Sequence, residues 1–361
     1  ISYNLVMHFL NDLINQNAYS LDTSSKSKFF RKHLNFLTLF HYKKSNLYKS
    51  YLNGINYNLK QNNSLSEIPF LPVRLFKEFD FLSIKKKEIF KILFSSGTTS
   101  NNLSKIYIDK TNALNQIKVL QKIFYNLIGN SRLPMLVVDK QNTNLDRNNF
   151  SASIAAINGF SIFANEIVYL LDQENNIDYK ILNNFLKKNH KKKFLIFGFT
   201  SNIYLNLIKK INIKKIHMKD FSNAFLIHGG GWKKIEEKKM NRNQFNLHLN
   251  KKLGIKNVRN YYGLVEQIGS IFFECKCGYL VASNYSDIII RDENLNICKE
   301  GETGLVQLLS LLPTSYPGHS ILTEDIGEIV SDHKCKCYGY GTRFLIHGRL
   351  KNAELRGCSN I

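Results

Sequence analysis

The chain has 361 residues, of which 43% are hydrophobic and 12% aromatic, a composition that excludes a disordered or fibrous protein. The length favours two or three structural units, because one hydrophobic core rarely grows beyond about 250–300 residues. The 50 Lys and Arg residues exceed the 28 Asp and Glu residues, which gives a formal net charge of +22. These basic residues are scattered and accompany no nucleic-acid-binding signature, so we expect a basic surface for anionic ligands and no nucleic acid partner.

Neither a membrane-spanning helix nor an export signal is predicted. No apolar run approaches the roughly 20 residues that a membrane helix needs. Residues 1–16 lack the basic start and uninterrupted apolar centre of a signal peptide, which predicts a cytoplasmic protein. The first residue is not Met, so we expect a start that is trimmed or a few residues short. In a reducing compartment, the six cysteines are expected to bind metal or do chemistry rather than form disulfides.

The first half of the chain predicts helices, then an extended segment, then a strand and a helix. Residues 1–65 predict helices with polar breaks, and the two prolines of 67–75 predict an extended segment. Residues 89–94 predict a short strand that runs into a small polar loop. Thr111 is the predicted cap of a helix before Gly129. Its predicted apolar stripe consists of Leu114, Ile117, Leu120, Phe124 and Leu127.

After Pro134, predicted strands alternate with predicted helices. The strands are at 135–139, 194–198 and 224–228, and the helices are near 151–158, 178–187 and 201–210. This alternation predicts an α/β core with a parallel sheet, followed from about residue 280 by a β-rich part. We therefore divide the chain into a helical segment at 1–66, an α/β core at 67–280, a β-rich subdomain at 281–347 and a C-terminal segment at 348–361.

Two loops after predicted strands are suited to binding an anionic ligand. The loop SSGTTS at 95–100 offers backbone N–H and hydroxyl donors to a phosphate, although it is not a Walker A loop, and a flexible surface turn is the alternative. Three glycines at 229–231 imply either close approach of a ligand or positive φ angles. His228 either contacts that ligand or is structural, and Trp232 either stacks on a base or packs on the sheet.

Three further turns carry polar groups. Glu266 follows the Tyr-Gly turn at 261–263, and its carboxylate is a suitable oxygen ligand for Mg²⁺. Asp325 in the turn at 323–327 can accept two hydrogen bonds from a ribose diol. The last turn, at 348–352, carries Arg349 and Lys351. Each of these segments can also be an ordinary turn.

The order of these segments resembles the adenylate-forming superfamily and, within it, the LuxE-type acyl-protein synthetases. The matching blocks lie between about residue 67 and residue 361 and are IPFLPVRLFK, SSGTT, HGGGWKK, YGLVEQIGSIFFE, TEDIGEI and GRLKNAELRGCS. The resemblance implies an α/β domain of parallel sheets flanked by helices, with a β-rich C-terminal subdomain. The small C-terminal domain usual in the superfamily is expected to be absent, because the chain stops at Ile361.

The resemblance also implies roles for the residues of these blocks. It assigns the ATP phosphates to Ser95, Ser96, Gly97, Thr98 and Thr99. It assigns the adenine pocket to Gly229, Gly230, Gly231, Tyr261, Tyr262 and Gly263, with His228 beside them. It assigns Mg²⁺ to Glu266, the ribose hydroxyls to Asp325, and ribose or phosphate to Arg349, with Lys351 as a further catalytic candidate. Ser100 and Val265 depart from the superfamily, where Gly and a phosphate-contacting Thr are usual.

The six cysteines divide into a terminal one, two pairs and a lone Cys298. The resemblance implies that the acyl group passes to a cysteine near the C-terminus, here Cys358, whose thiolate can displace AMP from the mixed anhydride. A free tail cysteine is the alternative. The pairs Cys275–Cys277 and Cys335–Cys337 resemble zinc knuckles, and four thiolates complete a tetrahedral Zn²⁺ site. Their CxC spacing is unusual, and unliganded reduced thiols are the alternative.

The sequence therefore predicts an ATP-dependent ligase that converts a carboxylic acid, in the LuxE pattern a long-chain fatty acid, to acyl-AMP and releases pyrophosphate. The acyl group is then predicted to move to Cys358 and on to a partner protein of the reductase or acyl-carrier type. One alternative is an acyl-CoA ligase resembling the phenylacetate–CoA ligases. Another is a non-catalytic binding protein with a basic surface. The oligomeric state is not predicted.

Overall fold

The computed structural model describes residues 3–59, 62–95, 103–141, 152–217, 220–331 and 335–350. The α-helices are α1 Tyr3–Asn15, α2 Thr23–Lys44, α3 Asn46–Gly54, α4 Leu75–Glu78, α5 Lys110–Ile128, α6 Ala152–Ser161, α7 Tyr179–Asn189, α8 Thr200–Asn202 (continued by a π-helix, Ile203–Lys210) and α9 Arg242–Leu253. The strands are β1 Leu71–Pro72, β2 Lys91–Phe94, β3 Lys105–Ile108, β4 Leu133–Lys140, β5 Ala164–Leu171, β6 Phe194–Phe199, β7 Ala224–Gly229, β8 Asn257–Gly263, β9 Ile271–Glu274, β10 Leu280–Val281, β11 Ser286–Arg291, β12 Gly304–Ser310, β13 Ser320–Ile329 and β14 Arg343–Arg349.

Short 3₁₀ helices complete the described secondary structure and lie at Leu65–Glu67, Lys86–Glu88, Ile213–Lys215 and Lys233–Lys238. The mixture of helices and strands confirms the predicted α/β class. Among the helices that the structure describes, none is long and apolar enough to cross a membrane.

The chain forms two compact units whose boundaries differ from the predicted division. Unit 2 contains residues 128–262, and unit 1 combines the described residues before 96 with 103–127 and 263–350. The sequence-based boundaries followed chain order, with breaks after residues 66, 280 and 347. Unit 1 is discontinuous because the N-terminal helices pack on late strands. In α2, for example, the buried Lys26 forms an ion pair with the half-buried Asp287 of β11, with Nζ and Oδ2 3.2 Å apart.

Unit 2 is built on a parallel sheet in the order β5-β4-β6-β7-β8. All six residues of β6 are buried, because helices cover the sheet, and this explains why the strand is a continuous apolar run. The core combines the centres of the strands with α7, the π-helix and α9, and includes Leu136, Ile196, Leu226, Leu182, Leu207 and Leu249. The spatial order of the strands departs from chain order between β4 and β6, where β5 lies on the far side of β4.

Unit 1 is dominated by antiparallel strands in the order β11-β12-β13-β14-β10-β9, and β1 pairs in parallel with β13. A separate two-stranded sheet pairs β2 with β3. The side chains of α2 are anchored on the strand-rich part: His33 Nε2 lies 3.0 Å from the Leu311 carbonyl oxygen, and His41 Nε2 lies 3.1 Å from that of Pro313. Helix α2 and the antiparallel strands of unit 1 therefore share one core.

Helix α5 has a different capping residue and a different buried face from those predicted. Its cap is Asp109, whose carboxylate accepts a hydrogen bond from the Asn112 N–H at 2.7 Å, so Thr111 is not the cap. The predicted stripe is only partly confirmed, since Phe124 is buried but Leu114 is 48% exposed and Ile117 40%. The buried face instead includes Asn112, whose side-chain oxygen accepts the Thr314 N–H at 3.1 Å. A polar anchor thus sets the rotation of this helix.

Candidate active site

The carboxyl ends of three parallel strands in unit 2 lie level with one another. Phe199 of β6 is in register with Gly229 of β7, and Gly229 is in register with Tyr261 of β8. In parallel α/β sheets, ligands bind at this edge, beside the point where the strand order changes. The glycine segment and the Tyr-Tyr-Gly segment, which the sequence analysis selected separately, therefore meet at one edge of the sheet.

Gly229 is required by a neighbouring aromatic ring. A Cβ atom at this position would lie 2.4 Å from Cε1 of Tyr261, so any larger residue would displace the ring. Tyr261 also contacts Phe160, with ring centroids 5.2 Å apart. Gly230 has φ +71°, a left-handed conformation that favours glycine. The positive φ angle therefore explains Gly230, whereas at Gly229 the close approach is that of a side chain of the protein itself.

His228 is a buried, neutral component of this edge. Its Nδ1 lies 2.9 Å from the hydroxyl oxygen of Thr200, which donates to the carbonyl oxygen of Gly230 at 2.8 Å. Because that hydroxyl hydrogen is used, the imidazole N–H is the donor to Thr200. Burial, with a contribution from the positive charge of Arg242, lowers the pKa of His228 to about 3. His228 therefore holds the strand ends in place as an uncharged side chain.

Trp232 packs in the core of unit 2. Its ring makes edge contacts with Tyr204 and Phe245, with centroids 5.1 and 5.9 Å away, and the residue is 8% exposed. These two rings belong to the π-helix and α9, so Trp232 packs against the helices of unit 2.

The sequence analysis missed a run of buried polar residues at the same edge. Thr200, Ser201 and Asn202 directly follow β6, and all three are buried. The signal was a hydroxyl-hydroxyl-amide run after an apolar strand, but the segment was assigned only to the start of a helix. The pairing of β6 with β7 places Thr200 beside the end of β7, where it contacts His228 and Gly230.

In unit 1, Asp325 and Arg349 form an ion pair across two antiparallel strands. They are directly opposed in the β13–β14 register, and Arg349 Nε donates to Asp325 Oδ1 at 3.0 Å. Asp325 is 6% exposed, and its backbone N–H donates to the Thr323 hydroxyl at 3.1 Å. The structure thus joins two residues that were selected from separate turns.

A second ion pair lies beside the first and was not predicted. Arg74, from the proline-rich block, pairs with Glu324. Glu324 precedes Asp325 in β13, so the IPFLPVRL block and the TEDIGEI block meet in unit 1. Two adjacent carboxylates, those of Glu324 and Asp325, therefore each form an ion pair with an arginine.

Glu266 is a buried carboxylate on a firmly held loop. The residue is 3% exposed, and its backbone carbonyl accepts a hydrogen bond from the Tyr316 hydroxyl at 3.0 Å. The next side chain, Gln267, donates to the carbonyl oxygens of Leu308 and Gly318 at 3.0 and 2.8 Å. An anionic oxygen ligand on such a fixed loop fits Mg²⁺, which prefers carboxylates and well-defined geometry.

Ser95 closes the base of the predicted phosphate loop. Its hydroxyl oxygen accepts the Ser104 N–H at 3.0 Å, and its own N–H donates to the Ser104 carbonyl at 3.1 Å. These bonds extend the β2–β3 pairing by one step. The remaining candidates of this group and of the tail lie outside the described residues; they are Ser96, Gly97, Thr98, Thr99, Lys351 and Cys358.

The four paired cysteines converge in unit 1. The sulfur atoms of Cys275, Cys277, Cys335 and Cys337 all lie within 4.8 Å of one another. Cys298 lies apart from them, near the Thr303 carbonyl.

Comparison with known proteins places this architecture in a family. Residues 4–361 match the family model of the acyl-protein synthetase LuxE. A long-chain-fatty-acid–luciferin-component ligase of Aliivibrio fischeri is 25% identical over 333 residues, which cover 89% of this chain and 84% of the relative.

Solved structures of ligases share the fold. A 2-hydroxyisobutyryl-CoA ligase in an open conformation, in complex with its acyl-AMP and CoA, superposes with a TM-score of 0.73 at 13% identity, over 92% of this chain and 77% of that one. The same enzyme in its postadenylation state gives 0.72, over 92% and 69%. Because the family match extends over residues 4–361, the chain belongs to the LuxE acyl-protein synthetase family and is a ligase with the fold of the adenylate-forming enzymes.

Proposed function

We propose that this protein uses ATP to activate a long-chain fatty acid as acyl-AMP. The observation that carries the proposal is the family match over residues 4–361. The chain length of the acid is taken from the A. fischeri relative, whose name specifies a long-chain fatty acid. In the reaction, a carboxylate oxygen of the acid bonds to the α-phosphorus, the bond from that phosphorus to the bridging oxygen breaks, and pyrophosphate leaves with the electron pair.

The described residues supply groups that suit this reaction. In unit 1, the buried Glu266 carboxylate would hold Mg²⁺, which neutralises phosphate charge when bound. Asp325 would accept hydrogen bonds from the ribose hydroxyls, since a carboxylate has about four acceptor positions and the bond from Arg349 uses one. Arg349 orients that carboxylate through the hydrogen bond from its Nε. In unit 2, Gly229–Gly231 and Tyr261–Tyr262 would contact the adenine.

We further propose that the activated acyl group is transferred to Cys358 and then to a partner protein of the reductase or acyl-carrier type. The thiolate sulfur bonds to the acyl carbon, the bond from that carbon to the AMP oxygen breaks, and AMP leaves with the electron pair. The thiol proton passes to solvent beforehand. The family description as an acyl-protein synthetase supports a protein acceptor over CoA.

Pyrophosphate exchange tests the first step. The protein is incubated with Mg·ATP, labelled pyrophosphate and carboxylic acids of increasing chain length, and label entering ATP is measured. We expect exchange that depends on the acid and is strongest with long chains. If no acid supports exchange, the activation proposal is wrong and a non-catalytic binding protein becomes the better interpretation.

Labelled fatty acid tests the acceptor. With ATP present, we expect label that stays on the protein through a denaturing gel and is lost in Cys358→Ser. The matched control is Cys298→Ser, which removes a cysteine outside the proposed chemistry and should keep the label. Label that persists in Cys358→Ser contradicts the cysteine step, and label that appears only on added CoA favours an acyl-CoA ligase.

A further inference from the structure

The four converging cysteines have a geometry that the acyl-transfer reaction does not use. The Sγ atoms of Cys275 and Cys335 are 3.7 Å apart, and those of Cys277 and Cys337 are 3.8 Å apart. These separations are far longer than the roughly 2.05 Å of a disulfide bond. All four sulfur atoms nevertheless lie within 4.8 Å of one another, although 57 residues separate Cys277 from Cys335.

Tetrahedral zinc coordination accounts for these distances. Four sulfur atoms at the usual Zn–S distance of about 2.3 Å are about 3.8 Å from one another. Two of the six sulfur pairs already have that separation, and each links a cysteine of one turn to a cysteine of the other. The remaining pairs need to close by at most about 1 Å to complete the tetrahedron.

Backbone N–H groups lie beside the sulfur atoms in both turns. The backbone N–H groups of Cys277 and Tyr279 donate to the Cys275 sulfur, and the Cys337 N–H donates to the Cys335 sulfur. Outer hydrogen bonds of this kind orient metal-bound ligands and disperse their negative charge. The same pattern in both turns makes each Cys-Lys-Cys segment half of one site.

The guanidinium group of Arg343 supports the second turn. One of its nitrogens donates to the carbonyl oxygens of Cys335, Cys337 and Gly339, at 2.7, 3.2 and 3.2 Å. The group also interacts with the Cys335 sulfur. Arg343 is the first residue of β14, so the turn and the strand are held by one side chain.

The cluster also contacts the segment between α1 and α2. The rings of Tyr19 and Tyr338 stack with centroids 5.0 Å apart, and the Tyr340 N–H donates to the Tyr19 carbonyl at 3.2 Å. A bound ion would therefore connect the β9–β10 turn, the segment before β14 and the N-terminal helices.

We propose that Cys275, Cys277, Cys335 and Cys337 bind one Zn²⁺ as a closed, four-thiolate structural site. Four protein ligands leave no open position for substrate, so the ion stabilises unit 1 and takes no part in the acyl chemistry. Among metals that favour four sulfur ligands, iron is the competitor, and an iron–thiolate protein would be coloured. The proposal is independent of the proposed reaction.

Metal analysis of the full chain, purified without chelator, is the first test. We expect about one zinc per chain in the unmodified protein and in the control Cys298→Ser. Cys335→Ser and Cys277→Ser should each lower the zinc content at least about fivefold. Zinc below about 0.2 per chain in the unmodified protein, a coloured iron-bound protein, or two disulfides found by mass spectrometry would overturn the proposal.

A second measurement separates loss of ligand from loss of fold. Replacing zinc with Co²⁺ in the unmodified protein should produce the intense visible bands and the thiolate-to-metal charge transfer of a tetrahedral four-sulfur site. Arg343→Ala keeps all four ligands and should weaken zinc binding about tenfold while the cobalt spectrum keeps its tetrahedral form. A cobalt spectrum typical of octahedral oxygen coordination would contradict four-thiolate binding.

Discussion

Side chains at the edge of the parallel sheet are held by one another before any ligand arrives. The Tyr261 ring occupies the space where Gly229 has no side chain, and His228 and Thr200 join the ends of β6 and β7. In unit 1, Asp325 is held by Arg349 in the same manner. Such pre-positioned groups lose little conformational entropy on binding, which favours affinity for a ligand of matching shape.

The residue-scale prediction concerns Asp325→Asn. The change keeps the shape but removes the charge that accepts hydrogen bonds from Arg349 and from the proposed ribose hydroxyls. Because a hydrogen bond to a charged group contributes about 1.5–3 kcal/mol, we expect kcat/KM for ATP in the exchange reaction to fall about 10- to 100-fold.

The matched control is Glu328→Gln. Glu328 lies in the same strand and also pairs across to β14, with Oε1 3.4 Å from Nε2 of His347. It should leave kcat/KM for ATP unchanged. If both variants lose activity equally, Asp325 acts only through the β13–β14 pairing and not through the nucleotide.

Helix α2 carries buried histidines that make the stability of unit 1 depend on pH. His33 and His41 face the late strands, and His41 stacks on His319 with ring centroids 5.2 Å apart. Burial lowers the pKa of His33 to about 4 and that of His41 to about 3. Burial and the neighbouring histidines also hold the pKa of His319 well below its usual value. All three side chains are therefore neutral in the folded protein at pH 7.

The element-scale prediction is a loss of stability in acid. Since the folded pKa values lie below the ordinary 6.5, the unfolded chain binds protons that the folded chain does not between about pH 6.5 and about pH 4. The free energy of unfolding should therefore fall with falling pH, by up to about 1.4 kcal/mol per pH unit for each histidine. Urea unfolding at about pH 7 and about pH 5 measures it.

His33→Gln should reduce the change of the unfolding free energy with pH by the contribution of one proton, because glutamine does not titrate. The exposed His248 provides the control, and His248→Gln should leave the slope unchanged. Equal stability of the unmodified protein at both pH values would contradict the assignment of these histidines as neutral and buried.

The whole molecule has a core in each unit, and its single tryptophan lies in one of them. Trp232 packs in unit 2 beside Phe245, so its fluorescence reports on that unit. Far-ultraviolet circular dichroism reports on the helices and strands of both. Chains with more than one compact unit commonly depart from two-state unfolding.

The whole-molecule prediction is that these two signals respond differently to core substitutions. Leu226→Ala in unit 2 and Leu308→Ala in unit 1 each truncate a fully buried leucine and should destabilise their own unit by about 2–5 kcal/mol. Leu226→Ala should shift the fluorescence transition in urea to lower concentration, and Leu308→Ala should shift mainly the dichroism. Equal shifts of fluorescence in both variants would mean that the units unfold together.

The sequence predicted those parts of the fold where local pattern and tertiary role agree. The apolar runs of β4, β6 and β7 were recognised because buried parallel strands are apolar on both faces. Strand β5 was missed, since Asn165 and Glu166 interrupt its apolar pattern. Helix α9 was missed because polar residues surround its three buried positions.

The site was predictable as separate segments but not as an assembly. Asp325 and Arg349 were each selected, yet their pairing depends on the β13–β14 register. The two CxC segments were joined only by chemical reasoning, and the β10–β14 pairing is what connects them in space. Thr200 was not selected, because its place beside His228 follows from sheet order alone.

The long-range contacts of α2 bear on how the chain is made. Thr38 and His319 are hydrogen-bonded although they lie 281 positions apart in the chain, so α2 leaves the ribosome long before its partners exist. Unit 2, continuous from 128 to 262, has all its strands at an earlier point of synthesis. Because domains generally fold as units during translation, we expect unit 2 to fold while the buried face of α2 still lacks its partners. We therefore expect that slowed synthesis of β11–β14 would lengthen the time during which the buried face of α2 lacks its partners.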